Sequence, residues 1–296
     1  MKKTGATLVA AIGISMMALS FGTTFAIEST PPGIPASDCF LAKEEGKTLD
    51  CSGGDATMAW SPCSTFKIPL ALIGYDCGIL IDENNPVHSF KPGYVDFLDS
   101  WREDQNPKSW MKNSCVWYSQ EVITKPLGME QFTHYVKRLG YGNQDLSGDA
   151  GQNNGLTAAW LSSSLLISSE QQAAFLEKLI VDQLPVGLDA HRKTRNILFI
   201  EVLHKGWKLY GKTGSGRQLD AQGHKTDLQH GWFVGWITKN ERTIVFVYHK
   251  ADREKMTDYV SHRAKQAAKD QLINLIDHLE ADTATEPTKP AETTEQ

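Results

Sequence analysis

The 296-residue chain is short of several things. Past residue 26 it has no apolar run long enough to cross a bilayer, which takes about 20 residues. It has no basic cluster: 30 Lys and Arg stand against 35 Asp and Glu, a formal charge of −5. That balance argues against nucleic acid as a partner. The nine His form no H-E-x-x-H or other zinc spacing, so no metal site is expected. G-x-S-x-G is missing, which leaves the usual nucleophile elbow without a candidate. None of the five cysteines (Cys39, Cys51, Cys63, Cys77, Cys115) sits in a C-x-x-C, and there is no internal repeat.

The ends are distinctive. Lys2 and Lys3 precede an apolar run from Ala6 to Phe25 that closes on Thr24-Phe25-Ala26. A charged start, an apolar middle and small residues at the exit describe a secretory signal peptide over 1–26, cleaved after Ala26. The rival reading is an uncleaved membrane anchor; the small-residue exit and the polar turn at 28–32 favour the peptide. The mature protein is then expected in the periplasm with no stable membrane anchor, and losing Lys2 and Lys3 takes its charge to −7. Residues 281–296 hold no large apolar side chain and are expected to form a disordered tail. Residues 27–280 remain for one large domain or two closely joined ones.

An odd number of cysteines leaves at least one unpaired within a monomer. Cys39 and Cys51 flank a turn-like stretch at 43–47, and an exported protein permits a disulfide there. Cys63 and Cys115 each adjoin a candidate site residue, which places them near each other; small buried thiols are the alternative reading for this second pair.

Hydrophobic spacing gives the outline. Residues 39–42 and 48–51 read as a hairpin. Ser64 to Cys77 reads as a buried helix stopped by Gly78, with Pro69 fitting only near its first turn. Residues 87–184 are helical and loop-rich, with helices at 129–139 and from Ser169 onward. The stretch 141–168 is too long for a plain connector. Runs at 197–202, 207–210, 232–237 and 243–248 read as strands, and Ala264 to Leu279 as a closing amphipathic helix. The expected fold is α+β: an antiparallel sheet of about five to seven strands with helices packed on it, plus an all-helical subdomain.

Gly206 to Thr213 matches G-x-x-x-x-G-K-[ST], the phosphate-loop pattern. Its intervening residues are bulky and strand-like, and no helix follows, so a nucleotide site is rejected. Another spacing carries more. Ser64 and Lys67 form S-x-x-K, which at helical pitch puts a hydroxyl and an amine on one face. A Ser beside a base is the raw material of covalent catalysis. Ser109 and Lys112 repeat the spacing without companions and read as surface residues. Ser114-Cys115-Val116 and Lys212-Thr213-Gly214 each occur once, in order after Ser64, the latter expected to end a strand.

On Ser64-Thr-Phe-Lys67, Ser114-Cys-Val116, Tyr141-Gly-Asn143, Trp160-Leu161 and Lys212-Thr-Gly214 the chain resembles the class D serine β-lactamases, the oxacillinases, over about Cys39 to Leu279. The resemblance implies the serine β-lactamase and penicillin-binding-protein fold, hydrolysis of β-lactam antibiotics through an acyl-enzyme on Ser64, and β-lactam resistance. It implies no cofactor except CO₂ or bicarbonate, taken up by Lys67 as a carbamate (N6-carboxylysine). A free Lys is protonated at neutral pH, and Phe66, Val116, Trp160 and Leu161 are the apolar groups available to lower its pKa. By the same resemblance Trp160 hydrogen-bonds the carbamate, Ser114 passes a proton to the leaving nitrogen and Lys212 adds positive potential. Backbone N–H groups of Ser64 and Ser215 form the oxyanion hole. Val116, Leu161, Thr213, Gly214, Ser215 and Arg263 would bind substrate, Arg263 through the carboxylate. Trp101, Trp110, Met111 and a loop at 216–230 are placed at the pocket edge. Penicillins are the expected substrates, with cephalosporins and carbapenems open. A penicillin-binding D,D-peptidase and a β-lactam sensor that acylates without turnover are the alternatives.

Overall fold

The computed structural model describes residues 38–285. The signal peptide expected at 1–26 lies outside them. The tail expected from 281 lies outside from residue 286, and its first five residues extend the last helix.

Six strands form one antiparallel sheet: β1 Cys39–Glu44, β2 Lys47–Gly53, β5 Phe199–Val202, β6 Lys208–Leu219, β7 Lys225–Lys239 and β8 Arg242–Ala251. Their order is β2-β1-β8-β7-β6-β5. Two further strands, β3 Ala59–Trp60 and β4 Ile167–Ser168, form a separate two-stranded ribbon. β4 thus interrupts the stretch expected to be helical. β7 and β8 are apolar without alternation because both faces of the sheet are covered. Phe233, Ile237, Ile244 and Phe246 pack under the closing helix α7, Val260–Thr285, against Ala264, Ala268, Leu272 and Ile276. Trp232, Val234, Trp236, Val245 and Val247 face the helical side. Burying Leu272 or Ile276 in this seam contributes about 1.5–3 kcal/mol each.

On the helical side, α1 Lys67–Asp76 is buried along almost its whole circumference. A helix apolar all round belongs in a core. A 3₁₀ turn, Cys63–Phe66, leads into it, so Pro69 falls in the first turn of α1, where it costs no intrahelical bond. α2 Pro107–Asn113, α3 Lys125–Leu139, α4 Gly155–Ala158, α5 Ser169–Ile180 and α6 Leu188–Asn196 complete this side. α5 starts on a reciprocal cap between Ser168 and Gln171, and α3 ends on left-handed Gly140.

Three expectations change. Lys212-Thr213-Gly214 does not end a strand: β6 continues to Leu219, because Ser215, Gly216 and Arg217 pair with Gly231, His230 and Gln229 of β7. The loop expected at 216–230 is therefore mostly ladder, with a turn near Asp220 to His224. Cys39 and Cys51 are both free thiols. The hairpin pairs Cys39 with Gly53 and Leu41 with Cys51, so the two cysteines are offset by two positions; Cys39 is buried and Cys51 exposed.

Candidate active site

Ser64 stands in the 3₁₀ turn and Lys67 opens α1, so helical pitch brings the two together: Lys67 Nζ donates to Ser64 Oγ at 3.2 Å. Lys67 has no exposed surface. Burial pushes its pKa down to about 8, against small opposing contributions from the Cys115 and Cys63 thiols.

Two other segments close on this pair. Ser114 terminates α2 in the left-handed region, φ 56° and ψ 29°. Trp101 Nε1 donates to Asn113 O at 2.8 Å, and Trp117 Nε1 donates to Trp101 O at 2.7 Å, which fixes the turn. β6 supplies the third side. Lys212, 4% exposed, donates from Nζ to Ser114 Oγ and to Thr213 O at 3.0 Å. Burial pushes Lys212 well below the ordinary lysine value, and the ammonium groups of Lys67 and Lys265 push the same way. Gly214 lets β6 come this close: a Cβ there would sit 2.8 Å from Pro62 O and 3.3 Å from Ser64 N. Residues 214–215 therefore lie against the turn that carries the Ser64 N–H.

Trp160 is fully buried and stacks on Phe66, with ring centres 5.4 Å apart and 29° between planes. Among the described residues its Nε1–H has no hydrogen-bond partner. A buried donor left unsatisfied costs about 1–3 kcal/mol, so this atom calls for an acceptor. Trp160 cannot drift to find one. Ser61 Oγ donates to Trp160 O at 2.8 Å and accepts from Ser162 N at 2.9 Å, while Trp232 Nε1 donates to Ser61 O at 2.9 Å. A carbamate on Lys67 fits this donor set: a neutral-prone buried amine, the Ser64 hydroxyl and one unused indole N–H.

A cavity of about 440 Å³ opens over Ser64. Ser114, Thr213, Gly214 and Ser215 line it beside Ser64, with Trp101, Val116, Leu161, Leu98, Phe97 and Tyr259 as apolar walls. Ser162, Ser261, His262, Asn113 and Lys112 add polar groups, Lys112 being exposed as expected and standing at the cavity rim. Met111 borders a neighbouring cleft, and Trp110 is buried in the core with its Nε1 donating to Ser119 Oγ at 2.9 Å, so neither edges this cavity as expected.

Arg263 stands on the closing helix α7 as expected, but it does not line the cavity. Its guanidinium forks onto Asp252 at 2.6 and 2.7 Å, and its Nε donates to Asp258 at 3.1 Å. One step along α7 the chain has turned away from the cavity, which instead meets Ser261 and His262. Ser215 Oγ accepts from Ser261 N at 3.1 Å, tying β6 to the first turn of α7.

Sequence reasoning missed Ser61, Trp232 and Gln172. Gln172 Nε2 donates to Thr65 Oγ1 at 2.9 Å and its Oε1 accepts from Tyr141 Oη at 3.3 Å; Thr65 Oγ1 donates to Pro62 O at 2.7 Å. This buried chain braces the turn that carries Ser64. Only adjacency to the S-x-x-K pair could have marked Ser61; Trp232 and Gln172 carry no local signal. Asn143 organises the long loop, donating to Ser164 O and accepting from Asp145 N and Leu166 N.

Residues 41–272 match the family model described as penicillin binding protein transpeptidase domain. Beta-lactamase OXA-9 of Klebsiella pneumoniae is 39% identical over 230 residues, covering 73% of this chain and 84% of that protein. Beta-lactamase OXA-1 of Escherichia coli is 40% identical over 213 residues, covering 71% and 74%. The crystal structure of the class D β-lactamase OXA-427 aligns with a TM-score of 0.74 at 43% identity, over 80% of this chain and 99% of that one. Identity of this extent, spread over nearly the whole folded domain, means that the chain belongs to the class D β-lactamases, within the wider transpeptidase family.

Proposed function

We propose that the protein is exported and opens β-lactam rings through an acyl-enzyme on Ser64, with Lys67 as the site of a carbamate, and so confers resistance to β-lactam antibiotics. The observation that carries this reading is the pairing of Lys67, buried and pushed down to about 8, with an orphaned Trp160 indole N–H. At pH 7 about one such amine in ten is neutral, against about one in three thousand at the ordinary 10.5. Only the neutral amine can take up CO₂. Trp160 Nε1 and Ser64 Oγ are the groups that would hold the product. When present, the carbamate supplies a general base for acylation and deacylation.

The other residues divide the remaining work. Ser64 Oγ attacks the lactam carbonyl carbon, and the oxygen that gains charge is held by the N–H groups of Ser64 and Ser215. Ser114 Oγ gives its proton to the leaving nitrogen and is resupplied from Lys212 Nζ, which already donates to it. The substrate carboxylate is met by Thr213, Ser261 and His262, since the two aspartates hold Arg263. The apolar walls favour an acyl side chain of aromatic or aliphatic character.

A D,D-peptidase is the second reading, and the transpeptidase match is its support. Against it stands the closed apolar setting of Lys67 among Phe66, Val116 and Trp160. Export rests on the pattern of residues 1–26, and no helix among the described residues is long and apolar enough to cross a membrane. Nitrocefin turnover by the purified mature protein, with and without added bicarbonate, tests the reading. Multiple turnovers that rise with bicarbonate are expected; stoichiometric acylation without turnover would overturn it in favour of a sensor or peptidase.

A further inference from the structure

A second cleft of about 360 Å³ adjoins the catalytic cavity along the edge of β6. The two share Lys112 and Thr213 as lining residues. Lysines reach this cleft from three elements: Lys108 and Lys112 from α2, Lys212 from β6 and Lys265 from α7, and no carboxylate lines it. Lys108 has a partner in Glu83 at 3.5 Å. Among the described residues, Lys112 and Lys265 have no hydrogen-bond or ion-pair partner; Lys265 lies over the Phe233 ring at 5.8 Å. Lys265 is close enough to Lys212 to oppose its protonation, and Lys112 is exposed at the mouth of the cleft, so both cationic side chains are open to an entering anion. The remaining walls are Met111, Asn196, residues 197–200, Gly211, Thr213 and Phe233, which leaves room for a ligand group of several atoms.

Position gives the direction of entry. A substrate whose carbonyl sits at Ser64 must turn its leaving nitrogen toward Ser114 and Lys212. Leu161 and Ser162 line the catalytic cavity but not the cleft; Lys112 and Thr213 line both. The shared Lys112 and Thr213 give a substituent on the leaving side of the ring a path from the catalytic cavity into the cleft.

We propose that this cleft is a second anion subsite, which accepts a carboxylate or phosphate-class oxyanion carried on the leaving side of the substrate and is made by Lys112, Lys212 and Lys265. The inference rests on the β-lactamase reading for its substrate and not for its anion. Two cephalosporins with one acyl group test it, one bearing a neutral and one a carboxylate-bearing substituent on the six-membered ring. In Lys265→Gln the kcat/KM ratio of acidic to neutral substrate should fall about tenfold through KM, as expected for losing a charge-assisted contact. An unchanged ratio overturns the proposal. Calorimetric titration with inorganic phosphate is the second arm. Lys112→Gln and Lys265→Gln should each weaken phosphate binding about fivefold relative to the parent protein, and equal affinities in all three proteins overturn it. If the parent hydrolyses neither cephalosporin but turns over benzylpenicillin, the phosphate titration alone decides the subsite; if it turns over no β-lactam, the β-lactamase reading falls, while the phosphate titration still decides the subsite.

Discussion

Trp160→Phe isolates one atom. Phenylalanine keeps an aromatic ring to stack on Phe66 and to meet Phe132, whose ring centre lies 6.1 Å away at 82°. What disappears is the Nε1–H that has no partner among the described residues. A hydrogen bond to an ionised acceptor is worth about 1.5–3 kcal/mol, so losing it should weaken carbamate formation on Lys67 about 10- to 150-fold. Two assays read this. In CO₂-depleted buffer the variant should lose turnover, and it should need about 10- to 150-fold more bicarbonate than the parent to recover. Thermal unfolding gives the second readout, free of catalysis. At bicarbonate 100 times its dissociation constant the parent should gain about 2.7 kcal/mol, or about 5–10 °C for a domain of this size. At the same bicarbonate the variant should gain little. The variant also sheds an unsatisfied buried donor, so without bicarbonate it should be destabilised less than the lost ring volume alone implies. Equal bicarbonate dependence of turnover in the two proteins, or equal stabilisation by bicarbonate, would refute the assignment.

Gly214→Ala places a Cβ 2.8 Å from Pro62 O, so β6 and the nucleophile turn must separate; a rate loss of about 100-fold or more is expected from a misplaced oxyanion donor, and circular dichroism should show the fold retained. Ser61→Ala removes the hydroxyl that links Trp160 O and Ser162 N, leaving two buried groups unpaired; urea unfolding should show a loss of about 2–4 kcal/mol. Lys67→Met should abolish turnover and, without bicarbonate, raise stability at pH 7 by about 3 kcal/mol, the cost of a folded-state pKa near 8 against an ordinary 10.5. Below pH 8 both folded and unfolded Lys67 are protonated and the gain is full; between about 8 and 10.5 the unfolded state binds more protons, parent stability rises and the gain vanishes. A gain independent of pH from 7 to 10.5 would show that buried charge is not its cause.

Local signals carried a good part of this protein. The S-x-x-K spacing fixes the Ser64–Lys67 contact because helical pitch is a property of three consecutive bonds and needs no distant partner. Apolar runs marked β7 and β8, and the stripe of α7 was readable from its period. Ser114, Trp160 and Lys212 could be named by resemblance, but their meeting could not be derived from spacing, since Lys212 and Ser114 are 98 positions apart. Only the folded chain decided Arg263: its charge goes to whichever carboxylate the fold brings near, and Asp252 and Asp258 reach it first. Only the folded chain separated Cys39 from Cys51, because hairpin register is set by a turn and a bulge that composition does not reveal. The buried support of the site, Ser61 with Trp232 and Gln172 with Tyr141, has no sequence signature for the same reason. A polar side chain in a core is defined by the partner it satisfies, and that partner lies anywhere along the chain.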